Sequence, residues 1–172
     1  MMVRRSRPQG RSFTLIELMI VIAIIAVIAA IAIPNLLAAR ILANEAAAIS
    51  TLKSIHAAQN VYREMDPDQD GEFRYGLMNE LVDAGLMTMP HAEGNQYHHH
   101  GYRITSRPSS NPELRPWVWA ARANPVVKDR TGHRHFFVNH QGQVMFRERT
   151  DIILISLNET MDPPTDLVAL GR

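Results

Sequence analysis

From Leu18 to Ile33 the chain contains only Leu, Met, Ile, Val and Ala. Counted from Phe13, this segment runs about 21 residues, or about 31 Å at about 1.5 Å per helical residue. That length matches a hydrocarbon core of about 30 Å. The segment is apolar on every side, so it is expected to be a membrane-spanning helix. Arg4, Arg5, Arg7 and Arg11 precede it with no acid among them. Such arginines stay on the cytoplasmic side, which places the C-terminal body outside.

A secretory signal has a shorter apolar core followed by a small-residue cleavage site. Here the Ala residues are scattered through the run, and helix-forming sequence continues beyond it. Pro34 is expected to kink a long helix rather than end it. Past Pro34 the apolar positions thin to a stripe of Leu37, Ile41, Ala48, Leu52, Ile55 and Tyr62. Steps of three, four and seven make one face of an amphipathic helix. The whole element, Phe13 to about Glu64, would be about 78 Å long.

Glu17 stands near the start of the apolar run. A carboxylate in a bilayer costs roughly 2.5–3.5 kcal/mol on insertion scales. One reading places it at the interface, reaching back to the headgroups. The other makes it a docking charge, satisfied when another subunit brings a cation into the apolar core.

The stretch RSFTLIELMIVIAIIAVIAAIAIP resembles the N-terminus of type IV pilins and of type II secretion pseudopilins. The match covers the leader, Phe13, Thr14, Leu15, Ile16, Glu17, the apolar run and Pro34. With Phe13 as the first mature residue, Glu17 falls fifth and Pro34 twenty-second, as in that family. The resemblance implies that a prepilin peptidase cuts between Ser12 and Phe13 and that the new Phe13 amine is methylated. It implies that Glu17, with Thr14 beside it, serves assembly by pairing with the Phe13 amine of a neighbouring subunit. A buried acid and a buried amine can offset each other's desolvation when paired. The family has Gly before the cut, whereas Ser12 stands here and Gly10 lies two residues earlier. Cutting after Gly10 would shift Glu17 two positions out of register, so Ser12–Phe13 is the expected bond.

Charge distribution bears on partners. The leader arginines are four of 18 basic side chains, leaving 14 bases against 17 acids in the remainder. The body is therefore not a broad basic surface, which argues against nucleic acid as a partner. There is no cysteine, hence no disulfide framework and no thiolate metal site.

The helix is expected to fade at MDPDQDGEFRYG. Asp66, Asp68 and Asp70 before Gly71 copy the first half of a calcium loop, but Leu77 stands where the bidentate Glu belongs. Two readings stay open: a solvated acidic turn, or a hard-cation site of Asp66, Asp68, Asp70 and Glu72. Calcium is the one cofactor the sequence suggests. YGLMNELVDAGLM then reads as a short helix capped at Gly85.

After Pro90 the texture turns to strands and turns. Gly101–Thr105, Pro116–Ala123, His135–Asn139 and Gln143–Glu148 favour strands, with residues 139–142 as a hairpin turn. Trp117 and Trp119 alternate and so are expected to share a face, as core or subunit contact. Ile152–Leu157 suggests an edge strand, and residues 161–172 a loop. His98 and His100 would share a face in an extended segment, without a third metal ligand in view. Lys128, Arg130, His133, Arg134 and His135 read as a solvated hairpin rim, with a local anion or DNA contact as the alternative. No motif of a nucleophile elbow, a zinc protease or a phosphate loop is present, so nothing in the sequence argues for an enzyme.

The expected fold class is α+β and pilin-like: a long N-terminal helix whose amphipathic half packs on a small antiparallel sheet. The expected division is a leader at 1–12, a membrane or filament-core half at 13–34, an amphipathic half at 35–65 and a globular domain at 66–172. The resemblance implies a single-pass inner-membrane protein with a periplasmic or extracellular body. Its partners would be lipid before assembly, the prepilin peptidase, an inner-membrane assembly platform and other pilin-like subunits in a filament. The alternative is a monomeric membrane-anchored ligand- or metal-binding domain, which would need neither cleavage nor Glu17.

Overall fold

The computed structural model describes residues 13–67, 71, 73–88, 92–93, 96–148 and 167–170. Helix α1 is Leu15–Met65 and includes Pro34, so the chain is helical on both sides of that residue. The expected helix end near Glu64 is met within one residue. The chain divides into two units, Met1–Ala38 and Ala39–Arg172.

In the first unit the described residues are almost wholly helical. Ile and Val are only moderate helix formers. In an apolar medium, however, a helix satisfies every backbone N–H and C=O within the segment, which an isolated strand cannot do. The side chains from Leu15 to Ile28 lie open, Ile16 at 65% and Ile25 at 58% exposure. The segment is long and apolar enough to cross a membrane, and none of its most apolar window is buried.

In the second unit α1 packs against a seven-stranded antiparallel sheet. The strands are β1 (Ala92–Glu93), β2 (Gln96–His99), β3 (Tyr102–Pro108), β4 (Trp119–Pro125), β5 (His135–Asn139), β6 (Met145–Arg147) and β7 (Val168–Ala169). Each pairs with its sequence neighbours, giving a simple meander. A short helix α2, Met78–Asp83, precedes the sheet, and Gly85 follows it at φ +71°, the left-handed position expected of a helix stop.

Ile41, Ala48, Leu52, Ile55 and Tyr62 of the expected stripe are all buried, whereas Leu37 is 52% exposed. Ala48, Leu52, Ile55, Ala58 and Tyr62 meet Ile104, Trp119, Ala121, Ala123, Phe136 and Val138 in one core. Two large strand residues, Ile104 and Phe136, flank Ala123 across the ladder. This alternation of large and small lets the sheet interdigitate with the helix.

Several expectations need correction. The strand expected from Pro116 begins only at Trp119, because Trp117 lies in a turn closed by its N–H donating to Leu114 C=O. Trp119 is fully buried and Trp117 is 62% exposed, so the two do not share a face. Arg63 stacks over Trp117 at 5.2 Å and over Tyr75 at 5.6 Å. The helix expected over residues 75–87 is only six residues long. Val168–Ala169, within the expected terminal loop, pairs with β6 as an edge strand. The strand expected at Ile152–Leu157 lies outside the described residues.

Candidate functional site

Helix α1 starts with a capping box built from Thr14 and Glu17. Glu17 Oε2 accepts the Thr14 N–H at 3.0 Å and the Thr14 hydroxyl at 2.7 Å. In return, the Glu17 N–H donates to Thr14 Oγ1 at 3.3 Å. The residue types and spacing are those of the S/T-x-x-E pattern, which satisfies otherwise orphaned donors of a first turn. A carboxylate here also opposes the positive end of the helix dipole. The acid that looked costly in the sequence is therefore held, in the single subunit, by its own helix start. A carboxylate offers about four acceptor sites, so the cap leaves capacity for a further donor. Phe13 is 77% exposed. Ser12 lies outside the described residues.

The second unit holds a buried acid the sequence reading missed. Glu45 is 2% exposed on the inner face of α1. Its Oε2 lies 2.7 Å from Arg134 Nη2 and accepts Arg134 Nε–H at 2.8 Å. Its Oε1 accepts the backbone N–H groups of His133 at 2.8 Å and Arg134 at 3.2 Å. Around it, Tyr102 donates its hydroxyl to Arg134 C=O at 2.8 Å and Asn44 Nδ2 donates to Thr131 C=O at 2.9 Å. Burial and the neighbouring Glu45 carboxylate push the Tyr102 phenol well above its usual pKa, so this donor keeps its proton. Gly132 lies under the Tyr102 ring, in a space no side chain could share. The loop between β4 and β5 is thus tied to the helix by backbone and side chain together.

A second polar tie sits two turns from the end of α1. Gln59, fully buried, donates from Nε2 to Gly76 C=O at 2.8 Å and accepts the Gly76 N–H on Oε1 at 3.0 Å. Glu45 and Gln59 fall in the two seven-residue gaps of the apolar stripe, between Ile41 and Ala48 and between Ile55 and Tyr62. Those gaps were the signal. An interrupted stripe marks positions where the buried face is polar and needs a dedicated partner.

The rim of basic residues is divided. Arg134 belongs to Glu45, His133 Nδ1 lies 2.8 Å from Asp129 Oδ1, and His135 Nδ1 is bonded to Asn124 at 2.8 Å while 2% exposed. Each of the three thus faces a different partner. Burial first, then Arg147 and Lys128, pushes the His135 imidazole below its ordinary pKa.

The histidine run also behaves differently from an extended segment. His100 takes φ +45° in a turn, so it does not share a strand face with His98. His99 Nδ1 sits 3.2 Å from Thr51 Oγ1. Among the described residues no three His, Asp or Glu side chains converge on a metal position. Of the expected cation ligands, Asp68, Asp70 and Glu72 lie outside the described residues. Asp66 has φ +42° and accepts the Gly71 N–H on Oδ2 at 3.0 Å.

Residues 8–33 match the family model described as the prokaryotic N-terminal methylation motif. The chain is 37% identical over 107 residues to the type IV major pilin protein PilA of Myxococcus xanthus, covering 62% of this chain and 42% of that protein. It is 53% identical over 81 residues to the type IV wide pilus major component PilA4 of Thermus thermophilus, covering 47% of this chain and 58% of that one. The matches therefore span about half the length of these curated relatives. No solved structure matches the chain. A methylation motif laid over a capped, exposed apolar helix, followed in sequence by a helix-on-meander body and matched in part by two type IV pilins, supports a type IV pilin-like protein.

Proposed function

We propose that this chain is a structural subunit of a type IV pilus-like filament. A prepilin peptidase hydrolyses the Ser12–Phe13 bond on the cytoplasmic side, and the new Phe13 amine is methylated. Until assembly, residues 13–34 hold the subunit in the inner membrane with the body outside. An assembly platform then adds it to the filament, where apolar helices pack together. Repetition of one heterologous contact yields an open filament.

The observation that carries this reading is the agreement between the methylation motif over residues 8–33 and a helix start at Thr14 and Glu17. Cutting at Ser12–Phe13 creates a cationic amine one residue from the Thr14 cap. In an apolar filament core, the unused acceptor capacity of Glu17 suits such an amine on a neighbouring subunit. An unpaired acid disfavours wrong docking, and pairing favours the right one. Both matched relatives carry pilus names, which favours a pilus over a type II secretion pseudopilus. Filament yield from Glu17→Ala tests the reading: long fibres in normal amount would overturn it.

Calcium at Asp66, Asp68, Asp70 and Glu72 is a separate proposal. A melting shift at millimolar calcium, lost in Asp68→Ala and Asp70→Ala, supports it; no shift rejects it.

A further inference from the structure

The face of the β3–β4 hairpin turned away from α1 carries clustered arginines. Arg103 and Arg107 flank Thr105 on β3, and Arg122 on β4 is the direct cross-strand neighbour of Thr105. Diagonal neighbours across an antiparallel pair lie about 7–8 Å apart, so three guanidinium groups share a small area. Burial, followed by repulsion from Arg107 and Arg103, holds the Arg122 pKa below its ordinary value.

At the end of β3 this field meets a cleft of about 320 Å³. Leu77, Pro108 and Pro112 give it apolar walls, and Arg107, Arg115 and Ser109 give it polar ones. The volume is at the small end for ligand sites. Arg115 is held loosely. Its Nη2 is 3.9 Å from Glu80 Oε2, beyond hydrogen-bond reach, and its Nε is buried with no hydrogen-bond partner. Glu80 is already engaged: the same oxygen accepts from Arg74 at 3.2 Å and from the Leu77 N–H at 2.6 Å. A guanidinium with an unsatisfied buried donor beside an apolar wall gains most from a planar carboxylate, which it can grip with two parallel hydrogen bonds.

We propose that this cleft binds a carboxylate carried on a small apolar body, with Arg115 gripping the charge and Leu77, Pro108 and Pro112 holding the body. Arg107 adds the attractive field at the mouth. A bare inorganic anion would leave the apolar walls wet, and a neutral apolar molecule would leave the Arg115 guanidinium unmatched. The ligand is either a free organic acid or a carboxylate side chain of a second copy of this chain.

The test is titration of the full chain, dispersed in a non-ionic maltoside, with 4-fluorobenzoate followed by fluorine NMR. Saturable binding with Kd of order 1 mM is expected for so few ligand atoms. The neutral 4-fluorobenzyl alcohol should bind about tenfold more weakly, as should the acid to Arg115→Gln. Arg130→Gln, which changes the same net charge on another loop, should bind the acid normally. Arg107→Gln, at an exposed position, gives an independent reading if Arg115→Gln melts early. Equal affinity for acid and alcohol, or unchanged affinity in both cleft variants, overturns the proposal. The same titration on sedimented filaments separates the sources: retained binding points to a free acid, and binding lost on assembly points to a neighbouring copy.

Discussion

Glu45 on α1 and Arg134, the residue before β5, meet at 2.7 Å across 89 residues of sequence, and the Glu45 side chain is only 3% exposed. Three hydrogen bonds converge on this carboxylate, one from Arg134 Nε–H and two from backbone N–H groups, and Arg134 Nη2 adds an ion-pair contact. That fills about all the acceptor sites a carboxylate has. The pair fixes the β4–β5 loop on one register of the helix, which an apolar contact of similar area would leave free to slide.

Removing either partner should therefore leave the other without its match. Glu45→Ala should destabilise the body by about 3–5 kcal/mol, because it strands Arg134 and two backbone donors. The double variant Glu45→Ala, Arg134→Ala should lose less than the sum of the singles. A denaturant double-mutant cycle measures this, and additive losses would mean the pair is not coupled.

Gln59 makes a similar case with neutral groups. Gln59→Leu keeps the volume but leaves the Gly76 N–H and C=O without their partner. Each buried orphan costs about 1–3 kcal/mol, so a loss of about 2–4 kcal/mol is expected. Chemical denaturation of the variant checks it; a loss under about 0.5 kcal/mol would show that water replaces the side chain.

Stability should fall on mild acidification. His135 has its pKa pushed down by burial, Arg147 and Lys128, and His56 and His99 are also lowered by burial. The unfolded chain, with His near about 6.5, then binds protons that the folded chain refuses. The stability these groups contribute is fully present above the unfolded value and is lost as pH falls below about 6.5 toward the folded values. A lower melting temperature at pH 5.5 than at pH 7.5 is expected. His135→Gln should flatten the dependence, and an unchanged slope would remove His135 from the explanation.

The Thr14 cap can be separated from the Glu17 charge. Thr14→Val removes the hydroxyl partner of Glu17 and should weaken the helix start by about 1 kcal/mol. Under the filament reading it should lower fibre yield modestly, whereas Glu17→Ala should abolish assembly with the body still folded. Electron microscopy beside circular dichroism distinguishes the two; equal defects would make the cap itself the essential feature.

Much of this was legible because the signals were periodic or local. The apolar run, the helix stripe from Ile41 to Tyr62 and the strand at His135–Asn139 follow directly from spacing. The turn at 139–142 also follows from its residues, and it closes with Gly142 N–H donating to Asn139 C=O at 2.9 Å. The gap in the stripe marks Glu45 as a polar position on the buried face, but its partner lies 89 residues away and spacing could not name it. Trp117 misled because alternation means a shared face only inside a strand, and the strand starts two residues later. β1 and β7, two residues each, are defined by their ladder partners and carry too little pattern to be seen alone.

The most direct measurement is the mass of the N-terminal peptide from material that sediments as filaments. The expected result is a chain beginning at an N-methylated Phe13, with Glu17 four residues on. Filaments whose subunits begin at Met1 or Met2 would contradict the filament reading at its first step.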